Sequence, residues 1–356
     1  MNENFMNYNK LEAQWKNNWF NFIKNNLNCS WFWKYISVNK NLTFDMINDN
    51  PQLPWDTCDK YYSLNPNITW NHVTKKDDNF WDWTSLSQND NITIEDIENN
   101  IDKPWNYWAL SSNSNITIDF VKKHLDENWN WDTLSLHVNA TPEEIMENSH
   151  LDWEWKYLSS NKKINIDFIL DNPSDDWDMD HFFDYNRSIT WKDIEKHKEL
   201  PWNFNHICYN VPITLDTVKR YPQYKWNWHA ISSNDGITFD DYKNNPQFDW
   251  SIEGLSMNKN LRWKHISDNM HLDWEWWWIS YNQDIDFEIV MSNPEIPWRW
   301  INLSNNSMEI AKERWIKKER NRIIKANIIK RYYRNCSYSP YYQFGRKMII
   351  KRFESS

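Results

Sequence analysis

Glycine is nearly absent from this chain, with three residues in 356. Tight β-turns and phosphate-cradling loops depend on glycine, so a strand-and-turn architecture, a P-loop and a GxGxxG fingerprint are all excluded. Neither HExxH nor GxSxG occurs. Cysteine is scarce too: Cys29, Cys58, Cys208 and Cys336 are scattered without a CxxC pair. They read as reduced, small, mostly buried side chains, not as a zinc knuckle or a disulfide frame. No apolar run approaches the roughly 18 residues that a membrane span requires. The opening MNENFMNYNKLEAQW has neither the basic start nor the apolar core of a secretory leader. The expectation is a protein that is not secreted. Triplets such as Asn67-Ile68-Thr69 are then helix-start chemistry and not glycosylation sites.

What is abundant is tryptophan, 28 residues, and asparagine, 51 residues. Aromatics reach 17% while mean hydropathy is −0.92, so the apolar mass comes as rings set among polar residues. Such a chain is not disordered in bulk. The net charge of −10 conceals a division. Residues 309–356 carry 14 Lys/Arg against 4 Asp/Glu, a net of +10, which leaves the rest at −20. An acidic body precedes a basic tail.

The tryptophans are periodic. The ring that opens a W-x-W-x-x-L-S phrase recurs at Trp31, Trp55, Trp81, Trp105, Trp129, Trp153, Trp177, Trp202, Trp226, Trp250, Trp274 and Trp298, spaced by 24 to 26 residues. A second tryptophan follows two places later in seven units, and Trp70, Trp191 and Trp263 share a third column. The duplicated HLDWEW at His150–Trp155 and His271–Trp276 could be two halves of a metal or catalytic site. The periodicity favours two copies of one structural unit, with His150 and His271 in the same column about five units apart.

Each unit parses into two short helices. The first begins near the anchor tryptophan and closes on a Ser. The second is announced by a Thr with an acid two or three places on, as at Thr43/Asp45, Thr93/Glu95, Thr117/Asp119 and Thr238/Asp240. The hydroxyl caps free N–H groups and the acid complements the helix dipole. An aliphatic residue such as Ile47, Ile97 or Val121 follows four places after the cap, and Asn-Pro ends the helix. Helices this short are marginal alone, so units must stack. The expected fold is all-α: an α-solenoid of about twelve 24-residue helix-turn-helix repeats with N- and C-terminal capping helices. The Asn two places beyond the Ser, as at Asn39, Asn89, Asn161 and Asn282, bonds the backbone of the inter-helix turn. A ladder of Asn reading a repetitive ligand is the sharper alternative.

The domains are residues 1–28, an N-terminal capping helix; 29–308, the Trp-rich solenoid; and 309–356, a basic tail. In the tail one helix runs from Ser307-Met308-Glu309 to about Arg334, followed by a Pro-containing turn and a short last helix. Lys317, Arg320, Lys325, Lys330, Arg331 and Arg334 are the candidate partner- or anion-binding residues. Such basic amphipathic helices bind grooves, membrane surfaces or nucleic acid. The simpler reading is a cap whose basic side lies against the acidic solenoid.

The repeat unit, as in LPWDT…NPNITWNHV and IPWRWINLS, resembles the short Trp-rich tandem repeats of proteins from giant, Mimivirus-like DNA viruses. The tail NIIKRYYRNCSYSPYYQFGRKMIIKRF resembles a basic C-terminal module common among them. The richness in Asn, Lys and Ile fits an AT-rich genome. The resemblance covers nearly the whole chain. It implies a viral interaction scaffold of the host cell cytoplasm or virion, and it carries over no catalytic residue.

No catalytic, cofactor-binding or metal-ligating residue is assigned. Protein–protein interaction by the acidic solenoid is the leading expectation. Nucleic-acid or polyanion binding, confined to the tail because the body is acidic, is the alternative. Carbohydrate binding would need several tryptophan columns open to solvent, whereas the repeat logic buries the anchor column.

Overall fold

A computed structural model describes residues 2–55, 60–173, 176–338 and Lys347. Every regular element among them is helical: an N-terminal helix Asn2–Asn25, an array of short helices, and a C-terminal helix Glu309–Tyr338. Cys58 and the expected Pro-containing turn and last helix of the tail lie outside the described residues. Units are numbered here 1 to 12 by their anchors, Trp31 to Trp298, and their two helices are A and B.

Helix B forms as its cap signals dictate. Thr43, Thr93, Thr117, Thr141, Thr190, Thr214 and Thr238 each accept a bond from the N–H three residues on. Asn165 and Asp286 do the same in units 6 and 11. Glu144, Asp193 and Asp241 reach back to complete capping boxes.

Helix A starts two residues later than its sequence suggests, at Trp33, Trp83, Tyr107, Trp131 and their counterparts. The anchor itself is held just before the helix, because its indole N–H has another task. Each anchor Nε1 donates to a main-chain carbonyl at the end of the preceding helix, five residues back in eleven units and at Val73 for Trp81. A buried ring thus satisfies the carbonyls that a helix end leaves open. The residue after the anchor becomes the N-cap of helix A, as with Asp82, Asn106, Asn130, Asp178 and Asn227. The Asp or Asn column was the sequence signal for that start.

Stacking of units uses three side-chain columns. Where a ring stands two places after the anchor it meets the next anchor edge-on, for example Trp33 on Trp55 at 5.1 Å and Trp131 on Trp153 at 5.3 Å. Edge-to-face geometry places a positive ring edge on a negative face, worth about 0.5–1.5 kcal/mol per pair beyond burial. The buried Ser of helix A donates back to its own helix and accepts the N–H after the next anchor, as Ser87 does with Trp83 and Asn106. The buried Asn ladder joins unit to unit. Asn89 Nδ2 donates to the carbonyls of Ser63 and Asn65 in the unit before, while its Oδ1 accepts from Asn91 N–H. With both ends engaged by main chain and the side chains buried, these asparagines are staples between repeats and are not presented to a ligand.

The array does not remain open. Consecutive helices A approach more closely than consecutive helices B, which curves the path with helices A on its inner wall. Unit 1 docks on unit 12 through the same bonds that join any two neighbours. Trp31 meets Trp300 edge-on at 4.9 Å, Phe32 N–H donates to Ser304 Oγ, and Asn39 Nδ2 donates to the carbonyls of Ser304 and Asn306. The solenoid closes into a ring. At roughly 8–10 Å per packed helix, twelve units give a circumference on the order of 100 Å.

Closure also reassigns the N-terminal helix. Phe20, Ile23 and Asn26 precede Trp31 at the spacings by which Phe44, Ile47 and Asn50 precede Trp55. Asn26 Nδ2 caps the Phe22 carbonyl as Asn50 Nδ2 caps that of Met46. Phe22 lies 5.8 Å from Phe287, the first residue of helix B in unit 11, as His72 lies 5.0 Å from Phe44. The end of the N-terminal helix is therefore a helix B, and it occupies the slot that follows unit 11. The expected capping helix exists, but a ring has no end for it to cover. It completes unit 12 with residues from the other end of the chain.

With that slot filled, the chain after unit 12 must turn away. Met308, buried and at φ 55°, makes the turn, a conformation rarely taken by a non-glycine residue. The C-terminal helix then crosses the N-terminal one: Trp315 packs on Trp15 at 5.8 Å, Lys312 pairs with Glu12, and Tyr8 donates to Glu313. That bond pushes the Tyr8 phenol up to about 12.

Candidate interaction surfaces

Two surfaces remain once the ring has used its side chains. The first is the free side of helices A, the inner wall. The anchor and staple columns point into the core, and nine of the twelve anchors are buried. The positions three and seven places beyond the anchor mostly point the other way, and the fourth ranges from buried, as at Ala109 and Ala230, to exposed, as at Trp278. Among them Trp108, Tyr209, Trp277, Trp278 and Tyr281 are exposed, as is Tyr185 beside the insertion in unit 7.

On units 6 to 9 these positions carry alternating tyrosine and histidine. Tyr157 stands against His181, His181 against Tyr185 and Tyr185 against His206, at 6.0, 4.4 and 6.3 Å. Tyr209 bonds His229 at 3.0 Å, and His229 faces Glu253 across 3.6 Å. Burial holds His181 and His206 below the ordinary histidine value, so their rings stay neutral further into the acid range. The sequence reading passed over this belt, because its residues fall at helix positions where each unit has a different side chain. The signal was there in the recurrence of Tyr and His, in place of Lys or Glu, at the outward positions of units 6 to 9.

The second surface is the C-terminal helix. Its first turns belong to the ring: Ala311 and Ile316 are buried, Glu309 N–H donates to Gln283, and Arg314 pairs with Asp284 and Asp286. To that extent the helix caps the acidic body. Further along it leaves the body. Lys317, Lys325, Lys330, Arg331 and Arg334 are exposed and Arg320 half-buried. Among the described residues none of these six is in an ion pair; Arg322–Glu319, within the helix itself, is the pair formed there. The basic side lies against the acidic solenoid at Arg314, whereas the five exposed candidates face solvent. Charge alone could not anticipate this, because the slot beside the body was already taken by the N-terminal helix. No described helix is long and apolar enough to cross a membrane.

The duplicated HLDWEW forms no site. His150 and His271 are both exposed, and Glu154 and Glu275 sit at the N-cap position of helices A. No group of three metal-binding side chains converges among the described residues. Cys208 stands in the Ser column of unit 8, where burial pushes its thiol up and away from reactivity.

No protein-family model, no curated protein and no solved structure matches this chain.

Proposed function

We propose that this protein is a non-enzymatic repeat scaffold that holds a protein partner on the inner wall of its ring, in an infected host cell or in the virion. The observation that supports this reading is the surplus of exposed aromatics on helices A. Every recurrent tryptophan column is consumed by packing between units, whereas Trp108, Trp277 and Trp278 are exposed, as is Tyr281, whose hydroxyl accepts from Asn305. Exposed Trp and Tyr on a rigid frame are the residue types that anchor protein interfaces. Burial of the anchor column argues against carbohydrate binding by stacked tryptophans.

A second reading, polyanion binding by the C-terminal helix, is favoured by five of the candidate cations, Lys317, Lys325, Lys330, Arg331 and Arg334, standing exposed. Affinity capture from infected cells separates the two. The full chain is compared with Trp277→Ala/Tyr281→Ala and with a chain ending at Ile316, which keeps the turns packed on the ring. Loss of a protein partner with the double substitution supports the inner wall. Capture that depends on the tail, or that nuclease abolishes, assigns binding to the helix instead.

A further inference from the structure

The last described part of the C-terminal helix, from Ile324 to Cys336, exposes an unusual amount of apolar side chain for a solvated helix. Ile324 is 53% exposed, Ile328 62% and Ile329 68%, and Tyr332 and Tyr333 are exposed beside them. At 3.6 residues per turn these five, with Ala326 and Cys336, fall on one broad side. Asn327, Lys330, Arg331 and Arg334 fall on the other, where the half-buried Ile323 lies between Lys330 and Arg334, and Asn335 falls at the margin of the apolar side. Lys325 interrupts the apolar side, but its stem is long enough to carry the ammonium to the edge. Asp and Glu are missing from Arg320 to Phe353.

We infer, building on the polyanion reading above, that this helix lies on an anionic lipid surface, with its isoleucines in the acyl boundary and its cations among the headgroups. Charge complementarity and the apolar side both enter the choice. A nucleic acid would neutralise Lys330, Arg331 and Arg334 but offer no apolar depth, leaving three isoleucines in water. A broad apolar side opposite a basic one is the composition of a helix that lies in a membrane interface without crossing it. The ring, at −20 for residues 1–308, is repelled by the same surface, so it stands off on the helix.

The test is flotation of the full chain with phosphatidylcholine vesicles, with and without phosphatidylserine, beside gel shifts on duplex DNA and single-stranded RNA. Expected is flotation with the anionic vesicles alone. Ile324→Asn/Ile328→Asn reduces it on the order of tenfold or more, since two inserted side chains are lost. Lys330→Gln/Arg331→Gln/Arg334→Gln reduces it as well. Both sets of positions are exposed, and unchanged melting curves confirm that the ring is intact. Flotation that the isoleucine pair does not weaken overturns the lipid assignment. So does nucleic-acid binding without flotation, which leaves the polyanion reading standing. Binding to neither removes both.

Discussion

The ring and the C-terminal helix use the same kinds of residue in opposite ways. In the ring, the anchor tryptophan N–H groups, the Ser hydroxyls and the Asn amide N–H groups have main-chain partners in a neighbouring unit, while the ladder Asn oxygens accept within their own turn. In the helix beyond Lys317, isoleucines and cations face solvent with little to touch. The difference lies in neighbours. A repeat unit has one on each side by construction, whereas the C-terminal helix lost its place in the ring to the N-terminal segment. A side chain satisfied on all sides reports on stability, and one left open is a candidate for function.

The comparison breaks most severely at the seam. Ile23→Asp places an unpaired charge in a fully buried site and is expected to cost several kcal/mol. It should also release the N-terminal helix and open the ring, raising the radius of gyration in small-angle scattering. An unchanged radius would show that the ring closes without that helix. Trp153→Ala and Trp274→Ala come next, each expected to destabilise by roughly 3–5 kcal/mol as buried aromatic truncations. Melting curves unaltered by both would remove the anchors from the core.

Asn89→Ala is a smaller break. It strands the Ser63 and Asn65 carbonyls and the Asn91 N–H, about 1–3 kcal/mol in chemical denaturation. Asn210→Ala is the control, since that exposed side chain bonds only within its own helix, to His206, and should change stability little. Equal effects would deny the staple role.

The weakest effect is pH. Burial holds His72, His137, His181, His206 and His265 below the ordinary 6.5. The unfolded chain therefore binds more protons than the folded one just below that value. The stability tied to these rings is complete above pH 6.5 and declines as pH falls through it. Melting temperatures that do not fall between pH 7.5 and pH 5.5, a window set around those shifts, would count against burial of these rings.

The repeat, its two helices, the Thr caps and the buried anchor column were all legible, because each is a local pattern written about twelve times. The start of helix A was misplaced by two residues. The anchor tryptophan itself marked the expected start, while the Asp82 and Asn106 column carried the actual cap. The N-terminal helix hid its register because Phe20, Ile23 and Asn26 are a helix B without the helix A phrase before it. The inner-wall belt was overlooked because the periodicity that reveals the core says nothing about positions that differ from unit to unit.

The sequence by itself determined the unit: hydrophobic spacing, caps and staples act within or between adjacent repeats, and each is specified by residues close in the chain. Closure was decided only by the tertiary structure. Whether a solenoid spirals or shuts depends on a small rotation per unit, summed twelve times, and no single repeat encodes that sum. Once unit 1 met unit 12, the N-terminal helix took the vacant slot. The basic helix, displaced from the ring by that contact, was left in solvent.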